Sequence, residues 1–138
     1  MRIETVGRGF RPWFALLNLD ARPDNPNIDE RDLAQLRVAQ VDAFFRKLTG
    51  LVETPVTDDP PFLKRVRQRT RYPLWRLGHP YHPEVCVRLI VHFHGDTAVI
   101  ALVGGDKLGI SDQWYDSATR RAEQDLDTYY RFERNRND

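Results

Sequence analysis

The sequence predicts one α+β domain, in which a small, twisted, mostly antiparallel sheet of about four strands packs against a helix from the N-terminal half and a C-terminal helix. Apolar residues alternate along 85–93, and a two-residue turn follows at Gly95 and Asp96. Two longer segments, 28–50 and 111–132, carry apolar residues at helical spacing. We therefore expect a hairpin at the centre of the sheet, with the helices packed on it.

Length and composition favour a single domain over 1–138. The 138 residues are 30% charged and 41% apolar, values that are ordinary for a soluble globular protein. One cysteine, Cys86, excludes an internal disulfide and fits a reducing compartment. No apolar run approaches the ~20 residues of a membrane span, and the N-terminus lacks the apolar core of a signal peptide. We expect a cytoplasmic protein with no membrane association.

Residues 1–27 form a separate, divergent N-terminal segment with a pattern unlike the rest of the chain, in which turn-favouring residues flank one apolar run. The apolar run 13–19 follows Pro12 and suggests a strand. The stretch 20–27 holds two prolines among aspartates and asparagines, which favour turns. We interpret 20–27 as an exposed loop.

The segment 28–50 is predicted to be an amphipathic helix. Asn27 and Glu30 have the spacing of a capping box, and Gly50 can end the helix. Its apolar residues, at mostly helical spacing, are Leu33, Leu36, Val41, Phe44, Phe45 and Leu48. This stripe predicts packing against a sheet.

The segment 62–83 contains no acidic residue. Its basic residues are Lys64, Arg65, Arg67, Arg69, Arg71 and Arg76, together with His79 and His82. If the segment is extended, the four odd-numbered arginines share one side, while Pro73 favours an edge strand or an irregular start. Such a stripe on a chain of net charge +1 suits a polyanion or an acidic protein partner. A merely solvated run of charge explains it equally well.

The sheet is predicted over 62–104, with the hairpin at its centre. Counting outward from the turn, the predicted pairs are His94 with Thr97, His92 with Val99, Ile90 with Ala101 and Arg88 with Val103. One face of the first hairpin strand is then wholly apolar. The other carries Arg88, His92 and His94, and the alternation alone favours it as the solvent side.

The C-terminal helix is predicted over 111–132, beginning at Ser111 or Asp112. Its inner stripe consists of Tyr115, Ala118, Ala122, Leu126 and Tyr129. The alanines allow a close approach to the sheet, and Tyr115 in the first turn should lie near the end of the second hairpin strand. Residues 134–138 are expected to fray.

Four side chains form a candidate catalytic group: Arg88 and Arg76 on neighbouring strands, Lys107 in the loop after the hairpin, and Tyr115. Guanidinium groups bind phosphate bidentately, and fixed cations stabilise the charge that develops in phosphoryl transfer. A tyrosine could act as general acid or base only if nearby cations lower its pKa from about 10. The arrangement suits RNA cleavage by 2′-hydroxyl attack, with no metal or cofactor.

Other chemistries have weaker patterns. The sequence has no phosphate-binding Gly-rich loop and no GxSxG nucleophile motif. His79, His82 and Cys86 match no common zinc spacing. We therefore expect no metal site.

The order of these elements resembles the RelE/ParE toxin superfamily, including its HigB-like and phage-derived branches. The family's "yRvvy" strand, apolar strand, short basic loop and "vYseA" helix start are similar here to VRLIVHF, TAVIALV, GGDKLG and WYDSATRRA. The resemblance covers about Leu74 to Tyr130, is weaker for the helix 29–48 and does not extend to 1–27. It implies a RelE-like fold.

The resemblance also implies roles for individual residues. Arg88 resembles the arginine that contacts the scissile phosphate, Tyr115 the proton-transfer residue, and Lys107 and Arg76 further cations of the site. The implied and candidate RNA contacts are Lys64, Arg65, Arg67, Arg69, Arg71 and His94. The loop has one lysine beside an aspartate where the family often has two or more cations, so His92 could supply the acid/base group instead.

The resemblance predicts a type II toxin, a ribosome-associated mRNA endonuclease held inactive by a cognate antitoxin protein. One alternative is a ParE-like, non-catalytic inhibitor of DNA gyrase. Another is an inactive binding domain in which Arg88 and Tyr115 are structural. The alternatives differ in whether Arg88, Lys107 and Tyr115 converge on one phosphate-sized site.

Overall fold

The computed structural model describes the backbone at 1–104 and 112–137, and the side chains at 1–101 and 115–133. Its elements, in chain order, are β1 (Arg2–Thr5), α1 (Phe10–Asp20), α2 (Ile28–Thr49), β2 (Leu63–Arg65), β3 (Trp75–Leu77), β4 (Arg88–His94), β5 (Thr97–Gly104) and α3 (Asp112–Asn137). The strands form one sheet in the order β1-β5-β4-β3-β2. β1 is parallel to β5, and the other neighbours are antiparallel. The predicted α+β class is confirmed.

Helices cover both faces of the sheet. On one face, Phe44 and Leu48 of α2 belong to the same buried cluster as Leu89 and Val91 of β4. On the other face, apolar residues of α3 pack on the sheet; this cluster consists of Leu74, Ile90, Val99, Ala101, Ala118, Ala122, Leu126 and Tyr129. The face of β4 that was predicted to meet solvent is therefore covered by α3. Alternation could not reveal this, because the residues on that face are buried by a helix that follows later in the chain.

The central hairpin confirms the predicted pairing near the turn. Gly95 has a φ of +58°, which its lack of a side chain permits, and the pairs from His94↔Thr97 to Val91↔Ile100 are as predicted. A bulge between Ile90 and Val91 then shifts the register by one residue, so that Ile90 pairs with Leu102. Arg88 pairs with Gly104 instead of Val103.

The N-terminal segment is part of the fold. The apolar run 13–19, predicted as a strand, lies within α1, and Arg2–Thr5 add the fifth strand to the sheet. Phe10, Phe14 and Leu17 have the i, i+4, i+7 spacing of a helix face, and the Phe10 and Phe14 rings lie 5.3 Å apart. This helical period was hidden by the short run and the proline before it.

Both longer helices agree closely with prediction. In α2, the Asn27 side-chain oxygen accepts from the Glu30 N–H at 3.1 Å, and the Asn27 side-chain amide donates to the Glu30 carboxylate at 3.2 Å. In α3, the predicted stripe faces the sheet. Residues 134–137, which were expected to fray, continue the helix. No helix in the described part of the chain is long and apolar enough to cross a membrane.

Candidate functional site

The strand register places three cations on the face of the sheet that α3 covers. Lys64 on β2 pairs with Arg76 on β3, and Arg76 pairs with Ile90 on β4. Arg88 lies two residues before Ile90, so its side chain starts from the same face. Like charges directly opposite each other in a sheet are unfavourable. The Lys64–Arg76 pair is therefore a place where an anion would be stabilising.

A pocket of about 190 Å³ opens at Lys64 and Arg76, beside the first described turn of the α3 helix. Its lining residues are Lys64, Arg65, Val66, Arg67, Gln68, Arg76 and Tyr115. The Arg65 guanidinium carbon lies 5.4 Å from the centre of the Trp75 ring, which belongs to the core cluster of the opposite face. The Arg65 guanidinium therefore packs over the Trp75 ring. Among the residues that the structure describes, none that lines the pocket is a carboxylate, and this lining has the electrostatic character of a phosphate site.

Tyr115 forms one wall of this pocket and keeps its proton at neutral pH. Burial raises the pKa of its hydroxyl, while the charge and hydrogen bond of Arg76 and the charge of Arg88 oppose that rise. The condition set from the sequence, that nearby cations lower the Tyr115 pKa from its usual value, is not met, and this counts against a role as base. The acid role does not need that condition, because a phenol that keeps its proton can donate it to a departing alkoxide oxygen, which is much more basic than a phenolate. The phenol is consequently suited to donate a proton and poorly suited to act as a base.

Arg88 lies beside the pocket without lining it. Its guanidinium donates to the Val87 carbonyl at 3.1 Å and lines a small cleft with Gln40, His79, Pro80, Tyr81, His82, Val85 and Cys86. A side-chain carbon added to Gly78 would come within 3.5 Å of the Arg88 guanidinium carbon and 2.7 Å of the Pro61 carbonyl oxygen. The absence of a side chain at Gly78 therefore lets Arg88 lie against the segment that follows β3. Lys107, the other predicted cation, lies outside the described residues.

His92 and His94 do not line the basic pocket. The His92 ring is buried, with its Nδ1 2.8 Å from the Pro73 carbonyl and its Nε2 2.6 Å from the Tyr130 hydroxyl, which is itself 3.2 Å from His94 Nδ1. Tyr130 follows Tyr115 by fifteen residues, which corresponds to about 22 Å along a helix. Burial lowers the pKa of His92. His92, the predicted substitute proton carrier, is therefore enclosed between Pro73 and Tyr130, and neither it nor His94 is among the residues that line the basic pocket.

Arg71 is held by α3. Its guanidinium lies 3.1 Å from a Glu123 carboxylate oxygen and 2.8 Å from one of Asp127, and the Tyr72 hydroxyl also donates to Asp127. Arg71 therefore fastens the segment that follows β2 against α3. Because regular strand structure ends at Arg65, the odd-numbered arginines do not form the predicted continuous stripe. Arg67 lines the basic pocket, and Arg69 lines a neighbouring cleft next to Glu123.

The contacts of Tyr72 and Arg71 with Asp127 are expected to make the stability of the fold depend on pH in the acidic range. The Tyr72 hydrogen bond and then Arg71 lower the pKa of Asp127. A carboxyl whose folded-state pKa is lowered stabilises the protein above its unfolded pKa of about 3.9, and this contribution is lost as the pH falls through the folded value. Asp127→Asn is therefore expected to flatten the decline of Tm with pH below about 4. Thermal melts followed by circular dichroism at several pH values measure how Tm depends on pH, and Glu53→Gln, at an exposed residue, is the control. Equal slopes of Tm against pH for the wild type and Asp127→Asn would contradict the expectation.

Sequence reasoning missed two contributors to this region. Gln68 lines the basic pocket, and Gly78 makes room for Arg88. A glycine directly after a short strand is a sequence signal for close approach, whereas nothing in the sequence distinguished Gln68. His79, His82 and Cys86 do share one cleft, but the described residues contain no group of three or more His, Cys, Asp or Glu suited to a metal ion. No protein-family model, curated protein or solved structure matches this chain.

Proposed function

We propose that this chain is an endoribonuclease that binds and cleaves single-stranded RNA in the basic pocket, as the toxin of a toxin–antitoxin pair. The observation that carries the proposal is the protonated Tyr115 hydroxyl beside Arg76, in a cationic pocket whose described lining residues include no carboxylate. Mg²⁺ is normally held by carboxylates, so the cations themselves would neutralise the phosphate. Metal-independent cleavage is the chemistry that this set of side chains favours.

RNA binding would begin with the phosphate backbone. Lys64 and Arg76, opposite each other on the sheet, would share one phosphate and relieve their mutual repulsion. Arg67 and Arg69 continue the positive charge along the segment after β2 and would contact neighbouring phosphates. Because these contacts are electrostatic, binding should weaken as salt concentration rises.

Cleavage would follow the metal-independent route of ribonucleases. The 2′-hydroxyl loses its proton to solvent and attacks the adjacent phosphorus, and the bond from phosphorus to the 5′-oxygen breaks. Arg76 stabilises the negative charge on the phosphoryl oxygens, and Tyr115 donates its proton to the departing 5′-oxygen. The products are a 2′,3′-cyclic phosphate and a free 5′-hydroxyl. Arg88 supports the reaction from beside the pocket, through its charge on Tyr115.

The toxin assignment rests on the resemblance to RelE/ParE proteins over Leu74 to Tyr130. In this proposal mRNA on the ribosome is the target, the cytoplasm is the site of action, and a cognate antitoxin covers the basic pocket. Such a partner would present carboxylates to Lys64, Arg67 and Arg76. If the pocket instead recognised DNA gyrase, the same cations would matter for growth arrest but RNA would stay intact.

Tyr115→Phe is the sharpest test of the proposed chemistry, because it keeps the packing of the ring and removes only the hydroxyl. We expect it to lower the RNA cleavage rate by about 10²–10⁴-fold while leaving RNA binding unchanged. Purified protein is incubated with an RNA oligonucleotide in EDTA, and product ends are analysed for the cyclic phosphate. Tyr81→Phe, at a tyrosine that is 82% exposed, is the matched control and should cleave normally. A fully active Tyr115→Phe variant would remove this tyrosine from the mechanism.

A further inference from the structure

The strand β1 lies at an edge of the sheet, where β5 is its one strand partner in the described part of the chain. The Arg2 N–H donates to the Asp96 carbonyl at 2.9 Å, and the Val6 N–H donates to Ile100 at 3.0 Å. Backbone groups of successive strand residues point in alternate directions. Ile3 and Thr5 therefore direct their N–H and C=O groups to the outer edge, which is a template for another strand.

An apolar groove runs beside this edge. Its volume is about 700 Å³, and it is lined by Ile3, Glu4, Thr5, Phe10, Arg11, Phe14, Ala15, Asn18 and Phe45. Leu19, four residues after Ala15 on the same side of α1, is 50% exposed. An exposed apolar groove next to open backbone groups is typical of a surface that another chain covers.

The sequence of β1 is complementary to itself when two copies run antiparallel. With Ile3 opposite Ile3, both residues present the outward backbone groups that a hydrogen-bonded pair exchanges. The same register places Arg2 of each copy opposite Glu4 of the other. Within its own chain Arg2 donates to the Thr97 hydroxyl at 3.4 Å and Glu4 hydrogen-bonds Tyr129, so the two ion pairs across the two-fold axis would add to these contacts. Sliding the strands by two residues would place Glu4 opposite Glu4, which is unfavourable. Charge thus selects one register among those that the backbone allows.

We propose that two copies of this chain associate through β1 in this antiparallel register, joining their sheets into one continuous sheet and bringing the two apolar grooves together. The arrangement is isologous, because the same residues of both copies meet around the axis. β2, which carries Lys64, is at the opposite edge of each sheet. Both basic pockets therefore remain accessible in the dimer, and the dimer does not depend on the proposed nuclease activity.

Charge reversal at Arg2 and Glu4 tests this dimer. Arg2→Glu alone creates two Glu–Glu contacts across the axis, and Glu4→Arg alone creates two Arg–Arg contacts. Each single variant is expected to weaken dimerisation by about tenfold or more. The double variant, and an equimolar mixture of the two single variants, restore opposite charges at each contact and should dimerise as the wild type does.

The measurement is sedimentation velocity over a concentration series, with the fold of each variant checked by circular dichroism. Arg22→Glu, in the exposed connection between α1 and α2, is the matched control and should leave the dimer unchanged. A wild type that stays monomeric throughout the series overturns the proposal without bearing on RNA cleavage. Single variants that dimerise as tightly as the wild type, or a mixture that fails to recover, would overturn the register.

Discussion

Arg76→Ala is expected to lower the rate of RNA cleavage by about 10²–10³-fold, the usual loss when a fixed group that stabilises transition-state charge is removed. Arg76 stands opposite Lys64 on the sheet, lines the basic pocket and hydrogen-bonds Tyr115. No other described side chain combines these three positions. The change is measured as single-turnover cleavage of an RNA oligonucleotide, together with binding by fluorescence anisotropy.

Arg88→Ala is the variant with which Arg76→Ala should be compared, because both remove one arginine near the basic pocket. The family resemblance gives Arg88 the leading role, whereas its guanidinium lies in the neighbouring cleft, against Gly78 and the Val87 carbonyl. Arg88→Ala is therefore expected to slow cleavage less than Arg76→Ala does. Equal stability of the two variants serves as the control for folding. If Arg88→Ala proved the more damaging change, the phosphate would have to be placed nearer the second cleft.

Leu89→Ala is expected to destabilise the fold by about 2–5 kcal/mol, the usual loss when a buried leucine is truncated to alanine and a cavity remains. Leu89 has no exposed surface and pairs with Leu77 on β3 and with Val103 on β5. Urea unfolding measures the loss. Val52→Ala is the matched control, since that side chain is 97% exposed and its truncation should change stability by no more than about 0.5 kcal/mol. A Leu89→Ala variant within that small range would mean that the sheet centre is loosely packed.

Local sequence patterns predicted the elements that have strong, uninterrupted signals. The helix over 28–50 has a capping asparagine and a long apolar stripe, and the hairpin has alternation around a glycine turn. The Arg2–Thr5 strand was missed because four residues give too little alternation, and α1 because its apolar residues follow each other too closely to show a helical period. A bulge at Ile90 and Val91 depends on how two strands settle against each other, which neither strand's sequence reveals.

For the candidate site, too, local patterns predicted the positions of single residues but not the contacts between distant ones. Arg76 lies on the face opposite Trp75 and Leu77, as the alternation of strand side chains requires, and the predicted helix stripe put Tyr115 beside the sheet. Neither pattern could show that Arg71 is held by Glu123 and Asp127, because those contacts join residues more than fifty positions apart. Nor could it show which histidines α3 would enclose.

Induced expression of the wild type beside Arg76→Ala, with mapping of mRNA 5′ ends, distinguishes a nuclease from a toxin with a protein target. We expect growth arrest and new mRNA ends with the wild type, and the loss of both with an Arg76→Ala protein that accumulates to the same level. Growth arrest with intact mRNA would contradict the nuclease proposal and point to a protein target such as DNA gyrase. Absence of arrest, with the wild-type protein accumulating in soluble form, would contradict the toxin proposal itself.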